Sequence, residues 1–341
     1  MKDLVLEMSR QHHMEPLSPW FDNMLDKYIA SGKYLGENEL DELASKTIDS
    51  LAKYREQAGV STAAIGISGG VDSALTATLL KNAGWTVIGT LLPIHQEQSE
   101  TDRGREVCES LGIKCLEKNL TLSFESFKRD LEELDSALFY GTTKSAKIRQ
   151  GNIRARMRMI ALYNLAAANH GLVASTDNLS ELAAGFWTLH GDVGDLSPIQ
   201  AMTKSWEVPM LAKMLDVPES VWRAKPTDGL GVDSGDEAQF GFSYLELDLV
   251  LLRVMDAVYD GLLYDELSSQ GKWNVAGVGE HIGVHDDEHA LQVYEMLMTR
   301  MESTWFKRAN PVNIKHALNP ERYVMLDSLD VDFFQPAVVK E

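Results

Sequence analysis

The sequence predicts an α/β protein whose parallel sheet carries helices on both faces. Short apolar runs rich in β-branched residues alternate with longer segments of helical periodicity, and a glycine-rich turn joins the first run to the first of these helices. Apolar residues make up 44% of the 341 residues, which is enough for the core of one large domain or two small ones. The composition therefore excludes a disordered chain and a small disulfide-stabilised domain.

The N-terminal segment, residues 1–59, is predicted to be a helical extension. Between positions 17 and 59, apolar side chains such as Leu40, Leu43 and Leu51 recur at helical intervals among many charged residues. We interpret this segment as a cover for the main domain or as a contact with a second subunit.

The central segment, residues 60–260, holds the alternation that defines the fold class. Strands are predicted at 63–67, 86–92, 113–116 and 172–175, and helices at 72–82, 105–111, 153–169, 204–215 and 244–259. Gly112 follows one of these helices and Gly171 closely follows another, as expected where helices end. Because strands alternate with helices, we expect a parallel sheet that is covered on both faces.

The C-terminal segment, residues 261–341, contains one more predicted helix at 288–307 and becomes irregular from residue 309. Residues 225–241, rich in glycine and aspartate, are predicted to form a long loop that could serve as a lid. His281, His285 and His289 have the spacing of a helical metal site, but glycine at 283 interrupts the helix, so we predict surface residues.

The charge and cysteine content restrict the partners and the compartment. The 32 basic and 51 acidic residues give a formal charge of −19, which repels phosphates and anionic lipid, so we expect no nucleic-acid or membrane partner. Cys108 and Cys115 lie within the predicted core, where we expect buried free thiols. No apolar run approaches the ~20 residues of a membrane span and no signal-peptide pattern is seen, so a cytoplasmic protein is expected.

A loop between the first predicted strand and helix has the character of a phosphate-binding site. It consists of Ser68, Gly69, Gly70, Val71, Asp72 and Ser73. Amides at a helix N-terminus and two hydroxyls suit an anion such as pyrophosphate, and the Asp72 carboxylate suits Mg²⁺. The loop lacks the lysine of the G-x-x-x-x-G-K-[ST] motif, so transfer of a γ-phosphoryl group is not predicted. The alternative is an ordinary glycine turn capped by Asp72 and Ser73.

The loop SGGVDS after the strand AAIGI resembles the signature of the PP-loop ATP pyrophosphatases. The resemblance implies a Rossmann-like adenine nucleotide alpha hydrolase fold, in which ATP is cut between its α- and β-phosphates to adenylate a second substrate. The motif fixes the class and not the substrate, because the same loop serves GMP synthetase, asparagine synthetase, argininosuccinate synthetase and tRNA-thiolating enzymes.

Further blocks narrow the choice of substrate. They are GNIRAR at 151–156, STDNLSE at 175–181, TLHGDVGDLSP at 188–198, Lys204, Pro226-Thr227 and SYLELD at 243–248. In order and spacing they resemble NAD synthetase, a homodimeric ligase that uses ATP and ammonia to amidate deamido-NAD through an adenylated intermediate, releasing AMP and pyrophosphate. Two alternatives stay open: another PP-loop ligase, GMP-synthetase-like or tRNA-modifying, and a nucleotide-binding module without catalysis.

The resemblance also implies roles for individual residues. It implies that ATP is bound by residues 68–73 with Thr176, Lys204 and Thr227, that Mg²⁺ is held by Asp72 and Glu181, and that deamido-NAD contacts Arg156, Asp195 and Lys307. The implied catalytic residues are Asp72, Lys204 and Asp195.

These roles have ordinary alternatives. Glu181 could be an acid favoured in the first turn of a helix by the helix dipole. The arginines at 154, 156 and 158 could form a solvated helix face. Asp192 and Asp195 could be turn formers, and the short spacing between them leaves open which of the two acts.

The chain departs from the short ammonia-using synthetases at two positions. A lysine commonly stands there in place of Leu189, and a His-Lys pair in place of Phe306-Lys307. The local sequence is more similar to the synthetase half of the longer glutamine-using enzymes, which carry a fused glutaminase with a nucleophilic cysteine. The first 60 residues contain no cysteine, so we expect ammonia to come from solution or from a separate glutaminase subunit.

Overall fold

The centre of the molecule is a parallel sheet. A computed structural model of the chain describes residues 1–10, 15–135, 143–227, 235–259 and 275–308. Within these residues the sheet has four strands in the order β3-β2-β1-β4. The strands are β1 Thr62–Gly66, β2 Thr86–Leu91, β3 Lys114–Glu117 and β4 Leu172–Val173. Ala64 pairs with Ile88 of β2 and with Val173 of β4, which confirms the predicted parallel α/β class.

Helices occupy most of the remaining described chain. In order they are α1 Lys2–Ser9, α2 Pro19–Ala30, α3 Glu37–Ala58, α4 Val71–Asn82, α5 Gln98–Leu111, α6 Thr121–Leu134, α7 Lys144–Ala168, α8 Leu179–Ala184, α9 Glu207–Met214, α10 Glu219–Trp222, α11 Asp236–Phe240, α12 Tyr244–Tyr259, α13 Val275–Ile282, α14 Glu288–Ser303 and α15 Trp305–Arg308. A short 3-10 helix at Val284–Asp286 joins α13 to α14.

Both faces of the sheet are covered, as predicted. Alternate residues of a strand point to opposite faces. Ala63 and Ile65 of β1 are fully buried in the main core, on the face that α4 covers. Ala64 between them packs with Ala166 and Leu162 of α7 on the other face. The crossover helices therefore lie on two sides of β1, which leaves the carboxyl ends of the strands accessible.

The N-terminal segment forms helices that share the main core. Val5, Phe21 and Leu40, one each from α1, α2 and α3, are fully buried in the same cluster as the strand residues. The hydroxyl of Tyr28 in α2 also donates to the Asp256 carboxylate of α12, at 2.9 Å. Helix α1 lies within the predicted helical extension, but before residues 17–59, where the helical periodicity is found. The division of the chain at residues 59 and 260 stays a prediction.

Several helix boundaries differ from the prediction. Helices α5 and α7 begin at Gln98 and Lys144, well before the predicted positions 105 and 153, because their first turns are polar and show no apolar period. The Thr143 side chain caps α7 by accepting from the amide of Ala146, at 3.3 Å. Helices α6, α8, α10, α11 and α13 were not predicted, and α11 lies within residues 225–241, which were predicted to form a loop. The predicted helix at 288–307 is interrupted at Thr304, and residues 228–234 of the predicted lid lie outside the described residues.

The expectation of two buried thiols is wrong for Cys115. Cys115 lies in β3, an outer strand of the described sheet, and is exposed, whereas Cys108 on α5 is buried. Both are free, as expected. Among the described residues, no helix is both long enough and apolar enough to cross a membrane.

Candidate active site

A cavity of about 420 Å³ lies at the carboxyl ends of the strands. Its walls include Ile67 after β1, Leu92 after β2 and Thr176 after β4. Open parallel sheets place ligands at this edge, and the volume is within the range of small-molecule sites. Most residues that the sequence singled out can therefore be located relative to one cavity.

The glycine-rich loop at residues 68–73 forms one end of this cavity. The Ser73 hydroxyl donates to the carbonyl of Gly70 at 3.0 Å, and the Ser68 hydroxyl accepts from the Gly70 amide at 3.2 Å. Gln96 and Arg103 donate from outside the loop to the carbonyls of Ser68 and Gly69, at 3.1 and 3.0 Å. These two carbonyls are therefore already hydrogen-bonded, while the first amides of α4 have no acceptor within their own helix and suit an anion.

Gly69 allows the loop to pack against α5. Its φ of +85° lies in the left-handed region, and a Cβ atom there would lie 2.1 Å from the carbonyl oxygen of Glu100. A side chain at this position would push the loop away from α5, so glycine is required by both conformation and space.

Asp72 and Lys204 form a buried ion pair at the start of α4. The Lys204 ammonium donates to one carboxylate oxygen of Asp72, and the Asn178 amide donates to the other at 3.0 Å. The same Asn178 side chain caps α8 by accepting from the amide of Glu181, at 3.0 Å. Burial by itself lowers the pKa of Lys204, but the carboxylates of Asp72 and Glu181 raise it to about 12. Side chains from the glycine-rich loop, from the block at residues 175–181 and from Lys204 therefore meet at one point.

The same end of the cavity holds an excess of negative charge. Burial, followed by the nearby Asp72, raises the pKa of Glu181 well above its usual value. Burial also raises the pKa of Asp177 strongly, with Asp192 and Asp72 adding to the effect. One oxygen of Asp177 is buried without a hydrogen-bond partner among the described residues. Among the described residues, Lys204 forms an ion pair with Asp72, whereas none is found for Glu181 or Asp177, which favours binding of a further cation.

The structure brings most of the predicted site residues to the cavity. Those that line it are Ser68, Gly70, Val71, Asp72, Thr176, Glu181, Lys204, Thr227 and Lys307. Gly69 and Ser73 complete the loop behind them. Thr227 donates to the Glu100 carboxylate at 3.1 Å. Arg156 and Asp195 are not among the lining residues.

Arg156 and Asp195 make other contacts. Exposed Arg156 donates from Nε to the carbonyl of Leu189, at 3.2 Å. Asp195 accepts from the amide of Val173 at 2.9 Å and from the hydroxyl of Tyr163 at 3.0 Å, so it ties β4 to α7. The substrate contacts implied for both residues stay predictions, and Asp192 is the aspartate of this block that lines the cavity.

Arg158 is a cavity residue that sequence reasoning missed. Helix α7 presents Ile148, Asn152, Ala155, Arg158 and Leu162 to the cavity, a stripe with helical spacing. The Nε of Arg158 donates to the carbonyl of Leu92, just after β2, at 3.0 Å. Burial lowers the pKa of Arg158, yet a guanidinium remains protonated at neutral pH. Its remaining N–H groups suit an anionic group of a ligand.

A residue near the end of the described chain adds a lysine to the cavity wall. The Lys307 ammonium donates to the carbonyl of Gly185 at 2.7 Å and to that of Trp187, and all three residues line the cavity. Burial, with Arg300 nearby, lowers the pKa of Lys307. Phe306 is 45% exposed and does not line the cavity. The departure at position 306 therefore lies outside the cavity wall.

The three histidines do not share a helix. His281 lies in the last turn of α13 and His285 lies in the 3-10 helix, and both are exposed. His289 lies in the first turn of α14, 3.1 Å from a carboxylate oxygen of Glu246. No group of three or more His, Cys, Asp and Glu side chains suited to a metal ion is found in the described part of the chain.

Both the sequence and the fold of this chain are similar to those of known proteins. A family model described as NAD synthase matches residues 43–271. An NH(3)-dependent NAD(+) synthetase from Thermoplasma acidophilum is 37% identical over 198 residues, 57% of this chain and 77% of that protein. One from Alkaliphilus metalliredigens is 37% identical over 213 residues, covering 61% and 85%. A solved NMN synthetase from Francisella tularensis has the same fold, with a TM-score of 0.62 at 24% identity over 82% of this chain and 98% of that one.

Proposed function

Because the chain belongs to the NAD synthase family, we propose that it amidates the nicotinate carboxylate of deamido-NAD with ammonia in an ATP-dependent reaction. The two relatives described above are named NH(3)-dependent NAD(+) synthetases, which supports ammonia as the nitrogen donor and NAD as the product. The observation that carries the proposal is the meeting of the phosphate loop, Asp72, Glu181 and Lys204 at one end of a cavity large enough for a nucleotide.

The proposed reaction has two steps. A carboxylate oxygen of the acceptor attacks the α-phosphorus of ATP, the bond from that phosphorus to the bridging oxygen breaks, and pyrophosphate leaves. Ammonia then attacks the carbonyl carbon, the carbon–oxygen bond to AMP breaks, and the nitrogen loses a proton. Adenylation is needed because a bare carboxylate offers no adequate leaving group to ammonia.

The residues at the loop end of the cavity fit Mg²⁺. Glu181 and Asp72 supply hard oxygen ligands, and the raised pKa of Glu181 reflects a cost of burying its charge that a divalent ion would remove. Bound Mg²⁺ would neutralise phosphate charge and stabilise the charge that develops at the α-phosphorus. Asn178 orients Asp72, and Lys204 remains protonated at neutral pH because of its acidic neighbours. That ammonium can stabilise a developing negative charge without rearrangement.

The remaining site residues are each assigned to the binding of one of the two substrates. The loop, Thr176 and Thr227 are proposed to hold ATP. On the acceptor side we assign Lys307 on the cavity wall, with Arg156 and Asp195 as the resemblance implies.

The ammonia source and the assembly are proposed separately. Ammonia is taken from solution or delivered by a separate glutaminase subunit. To distinguish these sources, the rate of turnover with ammonium is compared with the rate with glutamine, each with and without cell extract. A homodimer is supported by exposed apolar side chains on α7 that do not line the cavity, where Ile160 and Tyr163 are 65% and 37% exposed. Light scattering of the purified chain at micromolar concentration tests the dimer.

A direct assay tests the reaction. The purified chain is incubated with deamido-NAD, ATP, Mg²⁺ and ammonium chloride, and NAD, AMP and pyrophosphate are quantified by mass spectrometry. We expect the three products in equal amounts. Asp72→Asn should abolish Mg²⁺-dependent turnover, whereas Asp49→Asn on the exposed side of α3 should not.

Other outcomes distinguish the rival functions. ATP cleavage without NAD would show that another PP-loop ligase acceptor is used, and nicotinate mononucleotide is the first to test because it carries the same carboxylate. ATP binding without pyrophosphate release would support a nucleotide-binding module that has lost catalysis.

A further inference from the structure

Asp248 on α12 is a fully buried carboxylate beneath the candidate active site. Its exposed fraction is 0%, and it does not line the cavity. One oxygen accepts from the hydroxyl of Ser180, and the other accepts from the amide of Ser205 at 2.9 Å. These serines are direct neighbours in sequence of Glu181 and Lys204, so one carboxylate holds both segments that carry the charged site residues.

The serine hydroxyl makes this connection directional. Besides donating to Asp248, the Ser180 hydroxyl accepts from the backbone amide of Lys204, at 3.0 Å. An ionised carboxylate can only accept, so it fixes the direction of the hydroxyl proton and leaves a lone pair of the oxygen for the Lys204 amide. The three groups form a chain of hydrogen bonds from α12 through α8 to Lys204.

The charge on Asp248 is retained at an energetic cost. Burial raises the pKa of Asp248 to about 6, while the bonds from Ser180 and Ser205 lower it in part. No lysine, arginine or histidine forms an ion pair with it among the described residues, and the nearby Glu207 adds repulsion. An apolar residue would fill the same core position at lower cost, so packing alone gives no reason for a carboxylate here.

We propose that Asp248 is a positioning residue that holds the Glu181 and Lys204 segments in register, so that both side chains meet Asp72. The inference rests on the proposed function for its turnover readout, but it concerns the geometry of Lys204 and not the identity of the acceptor. Other contacts, such as the Leu179 amide donating to the Met202 carbonyl at 2.9 Å, join the segments without fixing the direction of the Ser180 hydroxyl.

The main test is Asp248→Asn. An asparagine of the same shape presents an N–H group to one of the two donors, so either Ser180 must turn its proton toward the Lys204 amide or the Ser205 amide loses its acceptor. We expect kcat to fall at least tenfold. Glu246→Gln is the matched control, because Glu246 is a buried acid on the same helix that accepts from Ser243, away from the site. It should change kcat less than twofold.

A double-mutant cycle separates positioning from a general loss of structure. If Asp248 acts through Lys204, the change Asp248→Asn should cost less than twofold in kcat once Lys204→Met is present. An equal loss in both backgrounds would overturn the proposal, and so would wild-type kcat in Asp248→Asn. Should Asp248→Asn fail to fold, Ser180→Ala removes the same link and must show the same dependence on Lys204.

A second measurement keeps the inference independent of the proposed reaction. The dissociation constant of ATP with Mg²⁺ is measured by calorimetry for the same four proteins of the cycle. We expect at least fivefold weaker binding for Asp248→Asn alone and no further weakening beside Lys204→Met. Absence of NAD formation by the wild type, with this binding pattern intact, would reject the proposed acceptor and leave the role of Asp248 standing.

Discussion

Replacing Lys204 by methionine tests whether the buried ammonium stabilises the fold as well as the site. The substitution keeps most of the side-chain volume and removes the charge that meets Asp72. The pKa of Lys204 is raised from 10.5 to about 12, and each pKa unit corresponds to ~1.4 kcal/mol, so the charged form contributes ~2 kcal/mol to the free energy of unfolding. Because the folded-state pKa is the higher one, this contribution is fully present below pH 10 and is lost as the pH rises toward 12.

Urea unfolding at pH 8 without divalent ions measures the effect. We expect Lys204→Met to lower the free energy of unfolding by about 2 kcal/mol, with an unchanged slope against urea. Lys213→Met is the control, because Lys213 is an exposed lysine of α9, and it should change the free energy by less than about 0.5 kcal/mol. A Lys204→Met protein as stable as the wild type would refute the reasoning, since the acids would then need no cation.

Three further predictions concern the cavity and the thiols. Because burial and Asp72 raise the pKa of Glu181, Glu181→Gln should raise the melting temperature in Mg²⁺-free buffer by about 2 °C or more while lowering Mg²⁺-dependent turnover; a lower melting temperature would contradict the charge excess. Arg158→Met should lower kcat/KM by roughly 10- to 100-fold, the size of a lost charge-assisted hydrogen bond, and Arg149→Met should not, because Arg149 on the same helix pairs with Asp135 and does not line the cavity. Burial raises the pKa of Cys108 to about 12, so a thiol reagent at pH 8 should modify Cys115 alone in the native protein and both residues in denaturant; two fast-reacting native thiols would be inconsistent with the fold.

The sequence predicted the central part of the site because its signals are local. The loop at residues 68–73 and the block that carries Glu181 each follow a strand, and parallel strands bring their carboxyl ends to one edge. The pairing of Asp72 with Glu181 was implied by the family resemblance, and the shared edge of the sheet gives it a physical reason. The residues that approach from helices were harder to place.

Helical phase explains why the sequence did not single out Arg158 as a cavity residue. Successive helical residues are separated by about 100°, so Arg156 and Arg158 point in nearly opposite directions, and only the packing of α7 decides which one meets the cavity. The sequence placed the start of this helix near residue 153, which left its packed face unassigned. Cys115 was misjudged for a related reason, because nothing in its residue type shows that β3 is an outer strand of the described sheet.

Asp248 shows a different limit of sequence reasoning. It ends the SYLELD block, and its partners Ser180 and Ser205 lie far away along the chain. An acid in an apolar helix is ordinarily assigned to the solvent side, and only the packing of α12 beneath α8 shows that this one is enclosed.

The position of Trp187 gives the protein an intrinsic optical probe. Its indole is 9% exposed in the cavity wall, and the Lys307 ammonium lies 5.1 Å from the ring centre. Indole emission depends on nearby charge and on water, both of which change when a nucleotide fills the space beside the ring. Ligand titrations can therefore be followed through tryptophan fluorescence without a label, and comparison with a Trp187→Phe protein isolates this signal from that of the six other tryptophans.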